Sequence, residues 1–337
     1  MAAQLPFEIV EDIIEYLDFE DVRSIARVCS VFQLPARLQL FGTIWIVCNT
    51  YSKPEHPILS SLHLLQYASC LVFLCIGSTM QQTSIHSLCS HLPMTYHLRN
   101  MEISLTPNDC LRVLSALERL GSAREIALIL WCNLAPDLLI SDNPLPVHSL
   151  CLHVDASTHQ VATRIIQKCS QSLRRLSLFL KDKTTPPLPF LPHLCEFSIQ
   201  TSLFVLDKDL GLMSWFPFLY QHPTITRISL DPTFTLAMQP PPNLLPNLQS
   251  LEAHPTIIEQ FIPERPVNCI TVEYFFQTTD HFPNNILLWP LQQSVVPVTI
   301  FAIKTSTYLS NNILINIIQT LPQLRKFSID WHYHEVW

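Results

Sequence analysis

The sequence predicts an α/β chain: a short, all-helical N-terminal module, then an irregular strand-and-helix repeat stacked into a solenoid with a parallel sheet on its concave side. Three observations carry this. Residues Leu5 to Leu40 hold apolar side chains at helical spacing. From about residue 58 onward, short apolar alternations share one grammar, apolar-x-x-apolar-x-apolar, and keep recurring. Finally, 48% of residues are hydrophobic and only 14% charged, where about 25% charged is usual, so the chain has far more surface to bury than to solvate. Stacked units that share one continuous core absorb that surface without a transmembrane helix.

The N-terminal helices follow from punctuation and period. Pro6 suits a first helical turn, where its missing N–H costs nothing, and Glu8, Glu11 and Asp12 favour the positive end of the helix dipole, so helix one is predicted over Pro6–Tyr16. Asp18 with Asp21 three residues later reads as a capping box opening a second helix through Val22, Ile25 and Ala26. Ser30 can cap a third helix carrying Phe32, Ala36, Leu38 and Leu40, although Pro35 obscures its start. Helix one has two apolar rows, Ile9–Ile13–Leu17 and Val10–Ile14–Leu17, and a helix packed on one side needs only one. The other row meets either a partner or the domain that follows.

These residues resemble the F-box. The likeness rests on Leu5-Pro6-Phe7-Glu8-Ile9-Val10, Ile13-Ile14-Glu15-Tyr16-Leu17-Asp18, Asp21-Val22 and Ile25-Ala26-Arg27-Val28-Cys29, and Phe32 stands where many members carry Trp. The resemblance implies docking on a Skp-type adaptor of a cullin-RING ubiquitin ligase through Leu5, Pro6, Ile9, Ile13, Leu17 and Val22, with Ile25, Val28 and Phe32 partly internal. It implies a non-catalytic subunit, since ubiquitin transfer is done by other chains of such a complex. The expected organisation is an F-box at 1–40, a turn-rich linker at 41–57 containing Pro54 and Pro57, and a repeat domain at 58–337.

In the repeat region the clearest copies are Leu173-x-x-Leu176-x-Leu178, Leu194-x-x-Phe197-x-Ile199, Ile225-x-x-Ile228-x-Leu230 and Leu324-x-x-Phe327-x-Ile329. Weaker ones begin at Leu98, Ala123, Val147, Leu248 and Val267. With the fourth position as phase marker, intervals from Met101 to Ile270 run about 25, 24, 26, 21, 31, 23 and 19 residues, near the roughly 20 to 29 of leucine-rich repeats. The likeness to that family is loose, because the Asn that regular repeats place after the strand is missing. Helices are predicted after Thr106-Pro107-Asn108-Asp109, ending by Gly121, around Val161, Ile165 and Ile166, and around Ile313, Leu314, Ile317 and Ile318. The runs Pro186-Pro187-Leu188-Pro189 and Pro240-Pro241-Pro242 should replace helices by extended segments, or serve proline-reading domains. An F-box followed by irregular leucine-rich repeats is similar to many F-box proteins of fungi.

Composition narrows the function. The four glycines, Gly42, Gly77, Gly121 and Gly211, are far apart, so no phosphate-cradling loop or nucleophile elbow can form. A net charge of -7 without a basic stripe argues against nucleic acid as a partner. The apolar stretch Leu62–Gly77 is broken by His63, Gln66 and Ser69, so no membrane span is expected, nor is a secretory signal visible. Eleven scattered cysteines without a C-x-x-C pair fit reduced thiols in cytoplasm or nucleus. His86-x-x-Cys89-x-His91 and His148-x-x-Cys151-x-His153 hold zinc-binding residue types, but neither supplies a full ligand set, and no metal or other cofactor is expected. His332 and His334 with Trp331 and Trp337 read as an aromatic cap on the last repeat.

The expected target-binding face follows from strand parity. If Leu176, Leu178 and their equivalents point inward, the opposite face presents a central column of Ser177, Ser198, Ser229 and Ser328, with Cys151 and Thr271 in weaker copies. Arg175, Glu196, Gln200, Arg227, Asp231, Glu252, Lys326 and Asp330 flank it. Mixed charge suits an unknown protein substrate better than a phosphate backbone. The serines either let a partner come close to the sheet or merely tolerate strand geometry and solvent. The competing function is a protein-interaction scaffold outside any ligase, with a vestigial F-box.

Overall fold

The computed structural model describes residues 6–28, 30–49, 64–76, 86, 89–95, 97–104, 107–120, 126–130, 143–182, 186–201, 210–236, 239–241, 243–274, 291–305 and 311–331. Leu5, Cys29, Pro54, Pro57, Thr106, Gly121, Ala123, Pro242, His332, His334 and Trp337, on which expectations rested, lie outside them. The chain forms two compact units, Met1–Leu150 and Cys151–Trp337. Among the described residues no helix is long and apolar enough to cross a membrane.

The first unit opens with α1 (Phe7–Glu15), α2 (Phe19–Val28) and α3 (Ser30–Phe41). Pro6 occupies the cap position of α1, and the Asp18 carboxylate accepts the Asp21 N–H at 2.9 Å to cap α2. Pro35 sits inside α3 rather than at its start. It removes one intrahelical donor, yet the ring is buried beside Ala36, where burial offsets the lost bond. Val10, Ile14, Val22 and Ala36 form the centre of this helical trio, with Leu17, Ile25, Ala26, Phe32 and Leu40 around them.

Gly42 turns the chain from α3 into the sheet. A Cβ there would lie 2.7 Å from the Leu38 carbonyl oxygen, so glycine alone fits without a shift. Strand β1 (Thr43–Asn49) follows at once, inside the 41–57 stretch read as linker. Ile44 and Ile46 are buried and Trp45 is exposed, the period-two pattern of a strand with one covered face. Then come β2 (Cys70–Ile76), β3 (Asn100–Ser104), α4 (Pro107–Leu117) and β4 (Ile126–Leu130). β1 to β4 pair in parallel and in chain order.

Strand β5 (Val147–Val154) spans the division between the units. The second unit continues with α5 (His159–Cys169), β6 (Arg175–Leu180), β7 (Glu196–Thr201), β8 (Leu210–Gly211), α6 (Phe216–Gln221), β9 (Arg227–Leu230) and β10 (Phe234–Thr235). It ends with β11 (Ser250–Ala253), α7 (Pro255–Phe261), β12 (Cys269–Tyr274), β13 (Ile300–Thr305), α8 (Asn311–Thr320) and β14 (Lys326–Trp331). β6, β7, β9, β11, β12, β13 and β14 form a parallel sheet in chain order, and the short β8 pairs with β10. Strands in chain order with helices or extended segments between them make an α/β solenoid of irregular leucine-rich-repeat type.

The apolar grammar now has a physical meaning. In the inner repeats its first residue is buried where the strand begins, and the next two point into the core: Leu194, Phe197 and Ile199 are no more than 1% exposed, as are Ile225, Ile228 and Leu230, whereas Leu324, Phe327 and Ile329 of the last repeat are half-buried. The residue after that first apolar position links each repeat to the last. The Arg174 carbonyl accepts the N–H groups of both Cys195 and Glu196; the Cys195 carbonyl accepts those of Thr226 and Arg227. The relay continues through the carbonyls of Thr226, Gln249, Asn268 and Thr299. In the first unit Gly42 and Ser69 serve the same purpose.

Three strands escaped the sequence reading although they obey the grammar: Phe41-x-x-Ile44-x-Ile46 at β1, Ala68-x-x-Leu71-x-Phe73 at β2 and Val298-x-x-Phe301-x-Ile303 at β13. One copy is corrected. Met101 pairs with Leu128, not Ile126, so the fourth repeat lies two residues later than the Ala123 phase. A slip of two keeps every side chain on its own face, and alternation alone cannot detect it.

Where prolines replace helices, the extended segments have no internal hydrogen bonds, and neighbouring side chains supply them. The Thr163 hydroxyl of α5 donates to the Pro187 carbonyl at 3.0 Å. His222 accepts the Leu191 N–H on Nε2 at 2.8 Å, while its Nδ1 lies 2.6 Å from the Phe218 carbonyl and donates to it. Arg265, 1% exposed, donates to the carbonyls of Pro241, Leu244, Phe261 and Pro263 at 2.7 to 3.1 Å and so fastens the second proline run. Desolvation pulls its pKa down, opposed by Glu264 and Tyr220, and the four carbonyls satisfy the charge in place of a carboxylate.

Replacing Arg265 by Met should therefore cost about 3 to 5 kcal/mol, since four buried acceptors lose their donors together. A denaturant-unfolding midpoint equal to that of the parent would contradict this role. Burial lowers the His222 pKa below its ordinary 6.5, only partly offset by the bond to Phe218. Its contribution is complete above about pH 6.5 and is lost as pH falls towards the folded pKa, because protonation turns the acceptor for Leu191 into a donor. Melting temperature should fall as pH is lowered below about 6.5, and less steeply in His222→Gln.

Candidate functional site

The three-helix module separates the two rows of α1. Val10 and Ile14 are 0% and 2% exposed and belong to its core; Ile9 and Ile13 remain 45% and 38% exposed. Tyr16, at 90%, prolongs the outward row by helical spacing. Phe19 at the start of α2 and Val31 and Leu34 on α3 are exposed as well. α3 is tied to the following residues, with Arg37 donating to the Tyr67 hydroxyl at 2.8 Å and Phe41 6.5 Å from the Tyr67 ring. The Ile9–Ile13 row nevertheless stays uncovered.

The sequence-derived contact set divides accordingly. Pro6, Ile9 and Ile13 are exposed, and Leu17, Ile25 and Phe32 are half-buried against the trio's core. Val22, at 1% exposure, packs with Val10, Ile14 and Ala36, because its place on α2 faces inward once Asp18 caps the helix. Leu5 and the Val28 side chain lie outside the described residues. Tyr16, Phe19, Val31 and Leu34 were missed, and the signal was available: each is a large apolar residue off the inward helical phase.

In the second unit, strand register aligns the outward side chains. Ser177, Ser198 and Ser229 lie opposite one another on β6, β7 and β9, and the row runs on through Glu252, Thr271 and Ala302 to Ser328. Glu252 thus belongs to the central row, not to its flank. The row on one side begins with Arg175, Glu196 and Arg227 and reaches Lys326. Arg175 Nε is 3.1 Å from Glu196 Oε1, and Arg227 is 3.9 Å from the other carboxylate oxygen. On the opposite side Lys304 of β13 bonds Glu252 and, at 3.2 Å, Glu273 of β12. Desolvation first, and the neighbouring Glu252 with it, push the Glu273 carboxyl up to about 7 against the pull of Lys304, whose own pKa is raised. Lys304 was not singled out from sequence because β13 had not been read, and without it Glu273, on the Val267 copy, had no visible partner.

Among the described residues no group of three His, Cys, Asp or Glu side chains converges as a metal site would. His153 instead stacks on Phe179, with ring centroids 4.8 Å apart. Cys169 is fully buried, which raises its thiol pKa to about 12; Cys70, Cys195 and Cys269 form no disulfide.

Comparison with known proteins bears on the first of these surfaces. No curated protein matches the chain. Among solved structures, one titled as the crystal structure of a TLR13–ssRNA13 complex is similar over 86% of this chain and 37% of that one, at 13% identity and a TM-score of 0.35. The chain thus spans little more than a third of that protein's length. The F-box domain model matches residues 3–33, the stretch that carries Val10, Ile14 and Val22 of the helical core and the uncovered Ile9–Ile13 row, and the N-terminal segment is accordingly an F-box domain.

Proposed function

We propose that this protein is a non-catalytic substrate receptor of a Skp-cullin-F-box ubiquitin ligase, its F-box docking on a Skp-type adaptor and its repeat sheet holding a target protein. The observation that carries the reading is the Ile9–Ile13 row: a row of aliphatics left outside a core that has already closed. A trio this small has few apolar side chains to spare, so an uncovered row calls for a covering partner. Leu5 and Pro6 extend that row in sequence, and Tyr16 widens it. Leu17, Ile25 and Phe32 act behind it by holding the helices at their angles.

The target-binding surface in this reading is the Ser177–Ser198–Ser229 row with Arg175, Glu196 and Arg227 beside it, continued at Lys326 and Ser328. Small hydroxyl side chains keep the sheet low and supply both donors and acceptors, so a partner's backbone can approach closely. The Arg175–Glu196–Arg227 ladder is half exposed and ion-paired within itself. Exposed pairs of this kind contribute little to stability and can re-pair with a partner at small cost. The competing reading, a scaffold outside any ligase, keeps the same sheet surface but predicts no adaptor capture.

Ile13→Asp should weaken adaptor binding by about 3 kcal/mol or more, because a charge would be desolvated at the centre of the contact. Fold and expression should hold, since the side chain is already partly in water. Co-purification with a Skp adaptor and cullin reads this; equal capture by variant and parent rejects the docking row, and no capture by the parent favours the scaffold. For the sheet, Ser198→Arg with Ser229→Arg should remove target proteins from a proximity-labelling profile taken with the proteasome blocked, while adaptor capture stays intact. An unchanged profile would move the target site elsewhere.

A further inference from the structure

We infer that the last repeat of the second unit binds a second copy of this chain, strand β14 pairing antiparallel with its own equivalent about a two-fold axis at Ser328. β14 ends the strand order, so among the described residues it is paired on one side only, with β13. Lys326 donates its N–H to the Thr299 carbonyl at the start of β13. Main-chain groups alternate along a strand, so those of Lys326, Ser328 and Asp330 serve β13 and those of Phe327 and Ile329 face the open edge. The apolar layer is open at the same place. Phe301 and Ile303 of β13 are fully buried, whereas Leu324, Phe327 and Ile329 are only half-buried. α8 repeats the contrast: Ile317 is buried, but Ile315 and Ile318, three residues apart on one side of the helix, are 50% and 60% exposed. α5, inside the stack, buries both of its apolar rows, Val161–Ile165 and Ala162–Ile166. A solenoid end needs a polar outer face to stay in water, and here that face is apolar.

The residues at the edge say what the partner is. Antiparallel pairing centred on Ser328 sets Lys326 opposite Asp330 of the second copy and Phe327 opposite Ile329 of the second copy, and the two-fold axis repeats both pairs. Opposite charges and an aromatic–aliphatic pair are the cross-strand combinations that stabilise neighbouring strands. Phe327 and Ile329 also exchange their main-chain bonds in this register, since theirs are the groups that point outward. A slip of two residues loses both charge pairs. The Asp330 carboxylate has interactions within its own chain, and with two oxygens it accepts a further donor without giving them up. The axis stands across the plane of the sheet, so both α8 helices lie on the same side of the joined sheet, where their Ile315–Ile318 rows can cover one another. A two-fold contact closes on itself and stops at two chains. This surface involves neither the F-box row nor the ligase reading; Lys326 and Ser328, which end the proposed target rows, become the seam that joins the rows of two copies.

The test is the solution mass of the full-length chain, measured by analytical ultracentrifugation over a concentration series. Expected is a reversible equilibrium between monomer and dimer that goes no further. Lys326→Asp and Asp330→Lys, both at exposed positions, should each weaken dimerisation about tenfold or more, because each sets like charges opposite one another on both sides of the axis. Mixed in equal amounts, the two variants should recover dimerisation as a heterodimer, since every pair between positions 326 and 330 is then opposite in sign. The chain carrying both reversals should recover it alone. Ile329→Pro removes an outward N–H and spares the ladder to β13, so it should abolish the dimer while circular dichroism keeps the shape of the parent's. A monomer at every concentration overturns the inference and leaves the edge to residues 332–337 or to a different protein. It is equally overturned by a dimer that both single reversals leave intact, by growth beyond two chains, or by folded single variants that stay monomeric when mixed.

Discussion

The backbone relay at the strand starts is the interaction on which the second unit depends. Each repeat offers one carbonyl, on Arg174, Cys195, Thr226, Gln249, Asn268 or Thr299, and the next repeat fills it with two successive N–H groups. Side chains reinforce the relay, with the Thr226 hydroxyl donating to the Cys195 carbonyl and Thr299 to that of Asn268. Because the bonds are made by main chain, they ask for no particular side chain. This is how the repeats dispense with a conserved-looking asparagine, and why their spacing can vary so widely: what lies between two strands is unconstrained once the relay and the buried first residue are in place. A parallel sheet cannot form from one unit, so the relay also makes the repeats interdependent.

Irregular connections then become a problem of hydrogen-bond satisfaction, and this is where the few buried polar residues are found. A helix closes its own bonds; the proline segments at 186–191 and 239–241 cannot. Thr163, His222 and Arg265 each reach across from a neighbouring repeat to do it. Two non-glycine residues with positive φ, Leu245 and Glu264, lie next to residues that Arg265 engages or follows, so the guanidinium also holds two turns in a conformation L-residues seldom adopt. A single buried cation here takes over the work of a missing helix.

These dependencies explain what could be read in advance. The F-box helices, the solenoid order and the serine row were legible because they are written as local periodicities of 3.6 and 2. The cap at Asp18 was legible for the same reason, being a contact across three residues. Register was not, as the fourth repeat shows, since a slip of two leaves the pattern intact. Nor were His222 and Arg265, whose partners in other repeats, Leu191, Leu244 and Pro241, lie 21 to 31 residues away and whose neighbours in sequence give no hint of them. At the docking row, two aliphatic rows on α1 could be counted, but which of them closes the core depends on Val22 and Ala36 from other helices. The burial of Val22 was not legible, because a family resemblance assigns positions without measuring which way they face.

If the proposed target lies on the sheet surface, the build of that surface has a further consequence. Its central row is low and polar on β6, β7 and β9, and at β11 Glu252 stands up from it, held by Lys304 in company with Glu273. Desolvation raises the Glu273 carboxyl pKa, and the trio of two carboxyls and one ammonium is already internally bonded. The Arg175–Glu196–Arg227 ladder is likewise paired within itself. A partner meeting this face finds few charges that are not already engaged, so long-range attraction would contribute little and specificity must come from shape and hydrogen bonding. Glu252 sets the limit of that shape: a segment lying along Ser177, Ser198 and Ser229 meets a raised, bonded side chain at the fourth strand, where it must bend away from the sheet or end.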